Sequence, residues 1–378
     1  MNSRIYLDHN ATTRPDSAVV VEMLSCLEES FGNPSSLHSF GQAARRVADR
    51  SRQRVADLIG SLAEEIVFTS GGTEASNQVL CGWLRPGRHV VVSGIEHQAV
   101  LNPCLALEAA GVRVTRVPAD ADGVVQPEAI AAAFTPETDL VSVMLVNNDT
   151  GVIQPVAGIV ALARARGIPV HTDAVQAAGK LRIDVRALGV DFLSLSAHKF
   201  NGPKGVGTLY IRNGRDLPAL LMGGTQENRR RAGTENLPGI AGFGMACKLA
   251  ALRLPDYAAR IGPLRDRLET GIRKLFPEAV VNGAGTPRIA NTLLVSFPGV
   301  LAQALAMNLD LEGIAISTGS ACSSASREPS HVLLAMGRTP EQALAAVRFS
   351  LGAENSETEI DRVLAALTFC VPRLRRKM

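Results

Sequence analysis

The sequence predicts an α/β protein with a large domain on a mixed, mostly parallel sheet of seven strands and a smaller α+β domain beside it. Between residues 62 and 210, seven short apolar runs rich in β-branched residues alternate with helical stretches. This alternation is typical of a mostly parallel sheet with helices on both faces. The chain has 378 residues, of which 46% are hydrophobic and 20% charged, and this length favours two lobes over one.

Polar side chains come directly after the predicted strands. The apolar runs cover residues 66–68, 89–92, 112–114, 140–146, 170–172, 191–195 and 208–211. The residues that follow them are Thr73, His97, Asn148, Asp173, Ser196 and Lys199. Because ligands bind such sheets at the loops that leave the strand ends, these six side chains are expected to meet in one site.

The other elements divide the chain into the two predicted domains. Residues 39–59 and 237–252 carry the apolar patterns of long helices. The composition changes near Pro255, and the later sequence predicts helices over 257–275, 301–309 and 358–370, a strand over 292–297 and a Gly/Ser-rich loop over 317–326. We expect the large domain to span 13–254 and the small domain to combine 1–12 with 255–378.

Charge and cysteine spacing exclude several classes of protein. A net charge of +3 is too small to indicate a nucleic-acid or acidic-membrane partner. The six cysteines are never closer than the 23 residues between Cys81 and Cys104, which excludes paired zinc spacings and argues against a secreted disulfide framework. The N-terminus lacks an apolar signal core, and no run approaches the roughly 18 apolar residues of a membrane span. We expect a cytoplasmic protein with free thiols.

Asp173 and Lys199 form the pair that pyridoxal 5'-phosphate chemistry requires. A lysine amine forms a Schiff base with the aldehyde of that cofactor, and a carboxylate pairs with its ring nitrogen. Asp173 ends an apolar run, where a buried carboxylate is costly without a cation, and Gln176 is close enough in sequence to reach the ring oxygen. The alternatives are a helix N-cap for Asp173 and a surface lysine in a turn for Lys199.

Three further positions suit the same cofactor. Gly72 and Thr73 follow a strand and open a helix, so their loop can hold a phosphate, although such turns also occur without one. Ser196 and His198 precede Lys199 and can donate to that phosphate. His97 has the flat ring and near-neutral pKa for stacking and proton transfer, the alternative being a capping or core histidine.

These motifs resemble those of the NifS/IscS-type cysteine desulfurases of the class-V aminotransferase family, nearly from end to end. Besides the residues above, the resemblance rests on residues 6–13, 31–36, 147–151, 171–176, 196–199 and 223–236. Residues 317–325, Ser-Thr-Gly-Ser-Ala-Cys-Ser-Ser-Ala, resemble the cysteine loop of the group I members. The resemblance implies the type I fold of pyridoxal-phosphate transferases.

The resemblance also implies a role for each position. Lys199 would hold the cofactor, with Asp173 on its ring nitrogen and Gln176 on its ring oxygen. His97 would be the ring-stacking acid and base, and Cys322 the sulfur acceptor. The remaining implied contacts are Gly72, Thr73, Ser196 and His198 at the phosphate, Thr234 at the phosphate of the neighbouring subunit in a homodimer, and Asn148 with Arg348 at the substrate carboxylate, Asn148 also touching the cofactor.

The implied reaction converts L-cysteine to L-alanine and leaves a persulfide on Cys322 for acceptor proteins of iron–sulfur cluster assembly, tRNA thiolation or DNA phosphorothioation. A cysteine among small residues is most often buried and inert, but the surroundings of Cys322 favour an exposed loop. Two positions depart from the family pattern, Asp149 in place of Glu and Ala353 in place of Arg. We expect neither to touch the chemistry.

Other functions stay open at this stage. A selenocysteine lyase, a β-lyase or an aminotransferase would use the same cofactor, and Cys322 separates them from a desulfurase. A non-catalytic sulfur-relay scaffold has no need of Lys199, Asp173, Cys322 and Arg348 together. A thiol hydrolase based on Cys322 explains neither Asp173 nor Lys199.

Overall fold

The computed structural model describes residues 4–318 and 328–375. Its strands are β1 (Ile5–Tyr6), β2 (Ile66–Thr69), β3 (His89–Ser93), β4 (Arg113–Val117), β5 (Thr138–Ser142), β6 (Val170–Asp173), β7 (Phe192–Ser196), β8 (Gly207–Ile211), β9 (Val280–Asn282), β10 (Thr292–Ser296), β11 (Ile314–Ala315), β12 (Ser317–Thr318) and β13 (Ala346–Ser350). Its helices are α1 (Ser17–Glu29), α2 (Ser39–Ile59), α3 (Gly72–Trp83), α4 (Gln98–Ala109), α5 (Pro127–Ala132), α6 (Val156–Arg164), α7 (Val185–Leu188), α8 (Leu237–Leu275), α9 (Ala302–Leu311), α10 (His331–Ala335), α11 (Pro340–Leu344) and α12 (Glu357–Leu374). Short 3-10 helices cover Ala63–Glu65, Ala197–Lys199 and Gln226–Arg229.

A mixed sheet of seven strands lies at the centre of the large domain, in the order β2-β8-β7-β6-β5-β3-β4. Strand β8 runs antiparallel to both β2 and β7, and the other neighbours are parallel. The predicted α/β class and mixed sheet are confirmed. Because β8 alone reverses within this sheet, the carboxyl ends of β2, β3, β5, β6 and β7 share one edge.

Both faces of this sheet are covered by apolar side chains, which explains the unbroken apolar runs in the sequence. Successive side chains of a strand point to opposite faces. Accordingly, Val90 and Val92 of β3 lie in one buried cluster, whereas Val91 lies in the other. The strands therefore read as continuous hydrophobic segments rather than alternating ones.

The small domain joins the two ends of the chain. Its antiparallel sheet has the order β12-β13-β10-β9, while β1 pairs in parallel with β11, and Asp8 forms a bridge with Ser350. Its buried core contains Leu7 together with Phe297 and Phe349. This shared core supports the combination of 1–12 with 255–378, and the domain boundaries themselves stay a prediction.

Helix α8 differs from the expectation of two segments separated near Pro255. It is continuous from Leu237 to Leu275, with Pro255 and Pro263 inside it. A proline inside a helix costs about 3 kcal/mol, but Phe243 is buried in the large core and Leu264 in the small one, and burial at both ends offsets that cost. Among the described helices, α8 passes a length and composition test for a membrane span, yet 50% of the tested window is buried within the fold.

Candidate active site

A cavity of about 690 Å³ lies at the carboxyl edge of the central sheet. This volume is in the range of small-molecule sites, about 300–1,000 Å³. The predicted residues in its walls are Gly72, Thr73, His97, Asn148, Asp173, Gln176, Ser196, His198, Lys199 and Arg348. The structure therefore brings these residues together, and their individual roles stay predictions.

Two predicted residues are not in these walls as described. Thr234 is exposed and follows the 3-10 helix Gln226–Arg229, away from the walls of its own chain's cavity. Cys322 lies outside the described residues. The roles predicted for both remain predictions.

Lys199 ends the 3-10 turn that follows β7, and its amine is held by the N-terminal segment. Lys199 Nζ donates to the carbonyl oxygens of Asn10 at 2.7 Å and of Ala11 at 2.9 Å. The side chain is partly buried rather than at the surface. Asn10 was not singled out from the sequence, because a backbone carbonyl carries no residue-specific signal.

Asp173 is the last residue of β6 and its side chain is buried. Its Oδ1 accepts from the amide of Val175 at 2.9 Å and its side chain lines the cavity. A turn and not a helix follows it, so the alternative of a helix N-cap is wrong. Burial raises the pKa of Asp173 to about 6, opposed by the Val175 hydrogen bond and the Lys199 charge. No ion pair forms with Asp173 among the described residues, so a cationic ring nitrogen would suit this carboxylate.

His97 precedes α4, where it caps the helix and also lines the cavity, and its predicted role in stacking and proton transfer stays a prediction. Its Nδ1 accepts from the amide of Ala99 at 3.1 Å, which caps the helix, and its ring lines the cavity. Burial lowers the pKa of His97, helped by the charges of Lys199 and His331 and opposed by Asp149. The imidazole is therefore neutral at neutral pH and able to exchange a proton.

The loop predicted to hold a phosphate connects β2 to α3. Gly72 is buried at the first turn of α3, and a Cβ there would lie 2.6 Å from Val175 Cγ2, so no larger residue fits without movement. Backbone amides at this helix start favour an anion. His198 contacts Thr12 Oγ1 at 3.1 Å, and its pKa is lowered to about 4 by burial and by the charges of Lys199 and Lys204.

Arg348 lies in the middle of β13 and is 2% exposed. Its Nη2 donates to Asp8 Oδ1 at 2.8 Å, and its Nη1 donates to the Asn148 carbonyl at 3.1 Å and to Asp149 Oδ1 at 3.3 Å. Its Nε and the Asn148 Oδ1 are buried without a hydrogen-bond partner among the described residues. A ligand atom that accepts a hydrogen bond would satisfy Arg348 Nε, and one that donates would satisfy Asn148 Oδ1.

Asp149, which was expected to stand apart from the chemistry, lies in the cavity wall in contact with Arg348, whose own role stays a prediction. Besides Arg348, its carboxylate accepts from Ser330 Oγ at 3.1 Å, and burial raises its pKa against the opposing charge of Arg348. The Asp149 carboxylate, on a shorter side chain than the Glu of the family pattern, is therefore a direct neighbour of Arg348. The other departure, Ala353, lines a second cavity and not this one.

Sequence reasoning missed the buried acid Glu96, which precedes His97 in the chain. Glu96 Oε1 accepts from the Met144 amide at 2.7 Å and from Ser93 Oγ at 2.5 Å, and burial raises the pKa of Glu96 to about 8. The Glu96 carbonyl also meets His331 Nε2 at 2.8 Å, and His331 lines the cavity. The signal in the sequence that could have identified Glu96 was its position as a charged residue shortly after the apolar run of β3.

Comparisons with known proteins agree with this geometry. The family model described as "Aminotransferase class-V" matches residues 5–363. A relative named "cysteine desulfurase IscS" from Clostridium botulinum (strain Hall) is 44% identical over 100% of this chain and 96% of its own length. The solved structure of a "NifS-like protein" has a TM-score of 0.92 at 37% identity, covering 98% of this chain and 100% of that one. The structure "SspA in complex with cysteine" has a TM-score of 0.80 at 33% identity, covering 92% and 98%.

Proposed function

The chain belongs to the class-V aminotransferase family, and we propose that it is a pyridoxal 5'-phosphate-dependent cysteine desulfurase. It converts L-cysteine to L-alanine and transfers the sulfur to an enzyme thiol. The full-length similarity to proteins named cysteine desulfurase and the similarity to a structure with bound cysteine support this reaction. The observation that carries it is the presence of Lys199 and the buried Asp173 in the walls of one cavity.

The donor set of the cavity suits the cofactor. Asp173 offers a buried carboxylate without an ion-pair partner among the described residues, the group that a protonated ring nitrogen requires. Lys199 offers the amine for the aldehyde. The start of α3, with Ser196 and His198, would hold the phosphate.

When bound, pyridoxal phosphate supplies an electron sink for the charge left as the Cα proton of cysteine departs. Lys199 is the amine in the cavity that takes and returns this proton. His97, kept neutral by burial, is a second proton carrier on the same wall. Arg348 would hold the substrate carboxylate, because a guanidinium presents a planar fork to it. Asn148, whose Nδ2 donates to Asp149 Oδ1 at 2.8 Å, would turn its amide to donate to the same carboxylate.

Cys322 is the proposed sulfur acceptor. Its thiolate attacks the sulfur of cysteine, so that a sulfur–sulfur bond forms and the carbon–sulfur bond breaks. The electron pair of the broken bond stays on the substrate carbon, which gains a proton and becomes the methyl group of alanine. The sulfur is left as a persulfide on Cys322.

The test compares Cys322→Ser with Cys81→Ser, a matched change at a partly buried thiol outside the cavity. Alanine formation and alkylated persulfide are measured after addition of L-cysteine, together with the absorbance of bound cofactor. We expect Cys322→Ser to lose both products and keep the cofactor, and Cys81→Ser to keep all three. Full cysteine turnover in Cys322→Ser would instead support a lyase, and a purified protein without cofactor would support a scaffold.

We also propose a homodimer in which Thr234 completes the phosphate site of the partner subunit. The exposure of Thr234 and its absence from the walls of its own chain's cavity support this arrangement. Exposed apolar side chains on α1, including Val21 at 65% and Leu24 at 51%, supply a surface that a second copy would cover.

The persulfide then passes to acceptor proteins in the cytoplasm. Similarity to a relative named IscS favours acceptors of iron–sulfur cluster assembly over those of tRNA thiolation or DNA phosphorothioation. A reducing compartment suits a carrier thiol that must remain free between turnovers.

A further inference from the structure

Lys180 is a buried amine close to the cavity that the chemistry above does not use. It is 6% exposed, and among the described residues it forms no ion pair with a carboxylate. Burial lowers the pKa of Lys180 to about 7, helped by the charges of Lys199 and Arg348. A buried amine is costly, so its hydrogen bonds indicate what it contributes.

Its described acceptors are two side-chain amides. Lys180 Nζ donates to Gln176 Oε1 at 2.8 Å and to Asn10 Oδ1 at 3.3 Å. Gln176 Nε2 in turn donates to the Asn10 carbonyl at 2.8 Å, the same oxygen that accepts from Lys199 Nζ at 2.7 Å. Lys180, Gln176, Asn10 and Lys199 therefore form one network.

This network fixes which way the Gln176 amide faces. The Asn10 carbonyl only accepts and the protonated Lys180 amine only donates, so the NH₂ of Gln176 faces Asn10 and its oxygen faces Lys180. The NH₂ group then occupies the other side of the amide, where one hydrogen serves the Asn10 carbonyl and the second is left for a ligand. A flipped amide would set its NH₂ against the Lys180 donor and is excluded.

Lys180 does not reach the cavity itself. It lines a second cavity of about 1,000 Å³ on the far side of the network, whereas Gln176 and Asn10 line the first. Any influence of Lys180 on a ligand in the first cavity must pass through these two residues or through its charge.

We propose that Lys180 is a positioning residue that holds the Gln176 amide with its N–H toward the ring oxygen of the cofactor. This inference rests on the proposed function, since it requires a cofactor with an anionic ring oxygen beside Gln176. The N–H then stabilises that anion. Without Lys180 the amide keeps only the Asn10 carbonyl as a described anchor and presents its own oxygen to the cofactor for part of the time.

The test is the pH titration of the cofactor absorbance in the holoenzyme with Lys180→Met. Loss of the oriented donor disfavours the deprotonated chromophore, so its apparent pKa is expected to rise by about one unit. Lys274→Met, an exposed lysine of α8, is the matched control and is expected to titrate like the wild type. The charges of Lys199 and Arg348 are unchanged in both variants, whereas the pKa of His9, lowered to about 4 by burial and by the Lys180 charge, is expected to rise in Lys180→Met.

Removal of the Lys180 charge would also raise that pKa, and a double-mutant cycle with Gln176→Leu separates the two effects. If Lys180 acts through the amide, Lys180→Met shifts the pKa much less in the Gln176→Leu background. An equal shift in both backgrounds overturns the proposal, as does an unshifted Lys180→Met. Lys180→Gln, which can present either polarity, serves if Lys180→Met does not fold, with a shift of the same sign expected. A wild-type protein without a lysine-bound chromophore overturns the proposed function instead, so the two failures are distinct.

Discussion

Arg348 Nη2 lies 2.8 Å from Asp8 Oδ1, so the residue proposed to hold the substrate carboxylate is already paired with an acid from the start of the chain. Asp149 contacts the other terminal nitrogen of the same guanidinium. A buried cation between two carboxylates is held in one orientation, and its Nε is buried without a hydrogen-bond partner among the described residues.

Replacement of Arg348 by Lys is expected to weaken substrate binding without loss of the cofactor. Lysine keeps a charge for Asp8 and Asp149 but lacks the planar fork, so KM for L-cysteine should rise about 10- to 100-fold. Steady-state kinetics and cofactor absorbance check this. Arg273→Lys, at an exposed site on α8, is the control, and an unchanged KM in Arg348→Lys would remove Arg348 from the substrate site.

Asp173→Asn is expected to change the pH dependence of the apo-protein. Because the pKa of Asp173 is raised to about 6 in the folded protein, its favourable contribution to stability is present below about pH 4. That contribution is lost as the pH rises toward 6, up to about 3 kcal/mol. Asp173→Asn removes this loss, so the variant should gain free energy of unfolding relative to wild type at pH 8 but not at pH 4.

Urea titrations at the two pH values measure this difference. Asp16→Asn is the control, because the pKa of Asp16 is lowered in the folded protein and its contribution is lost only below about pH 4, so its stability difference should be nearly equal at pH 4 and pH 8. The same Asp173→Asn protein should bind pyridoxal phosphate weakly. Equal stability differences at both pH values would show that Asp173 titrates normally.

Lys199→Ala is expected to abolish the yellow colour of the protein and leave the fold intact. The Asn10 carbonyl keeps the Gln176 donor, so the cost in stability is about 1 kcal/mol. Absorbance and thermal unfolding measure the two effects. Lys204→Ala, an exposed lysine in the same loop, should keep the colour, and colour in Lys199→Ala would place the cofactor elsewhere.

A hybrid dimer tests the proposed place of Thr234. Consider a heterodimer of one Lys199→Ala chain and one Thr234→Val chain. If each site uses Thr234 of the other subunit, the site with the native Lys199 also receives a native Thr234, and the other site has neither. About half of the wild-type activity is therefore expected from the purified hybrid, with each homodimer much less active. A hybrid no more active than the Thr234→Val homodimer would assign Thr234 to its own subunit.

The sequence predicted the parts of the site that depend on strand ends. Thr73, His97, Asp173 and Lys199 were found because each polar residue directly follows a buried apolar run, and parallel strands bring such positions to one edge. The reversal of β8 carries no comparable signal, since an apolar strand reads the same in either direction.

The contacts that support the site could not be predicted from the sequence for a different reason. Asn10 acts partly through its backbone carbonyl, and Lys180 matters because of burial, which depends on the whole fold. The interpretation of Asp149 rested on its departure from the family pattern, and its contact with Arg348 was not considered. Pairwise contacts between distant segments, such as Asp149 with Arg348, emerge only from the folded chain.

The pairing of β1 with β11 and of Asp8 with Arg348 has a consequence for the order of events during synthesis. During synthesis, β1 and Asp8 must wait for β11 and Arg348 before either pairing can form. The central sheet can form earlier, because its strands end at Ile211. A nascent chain therefore gains a folded core well before it gains a place to hold an amino acid.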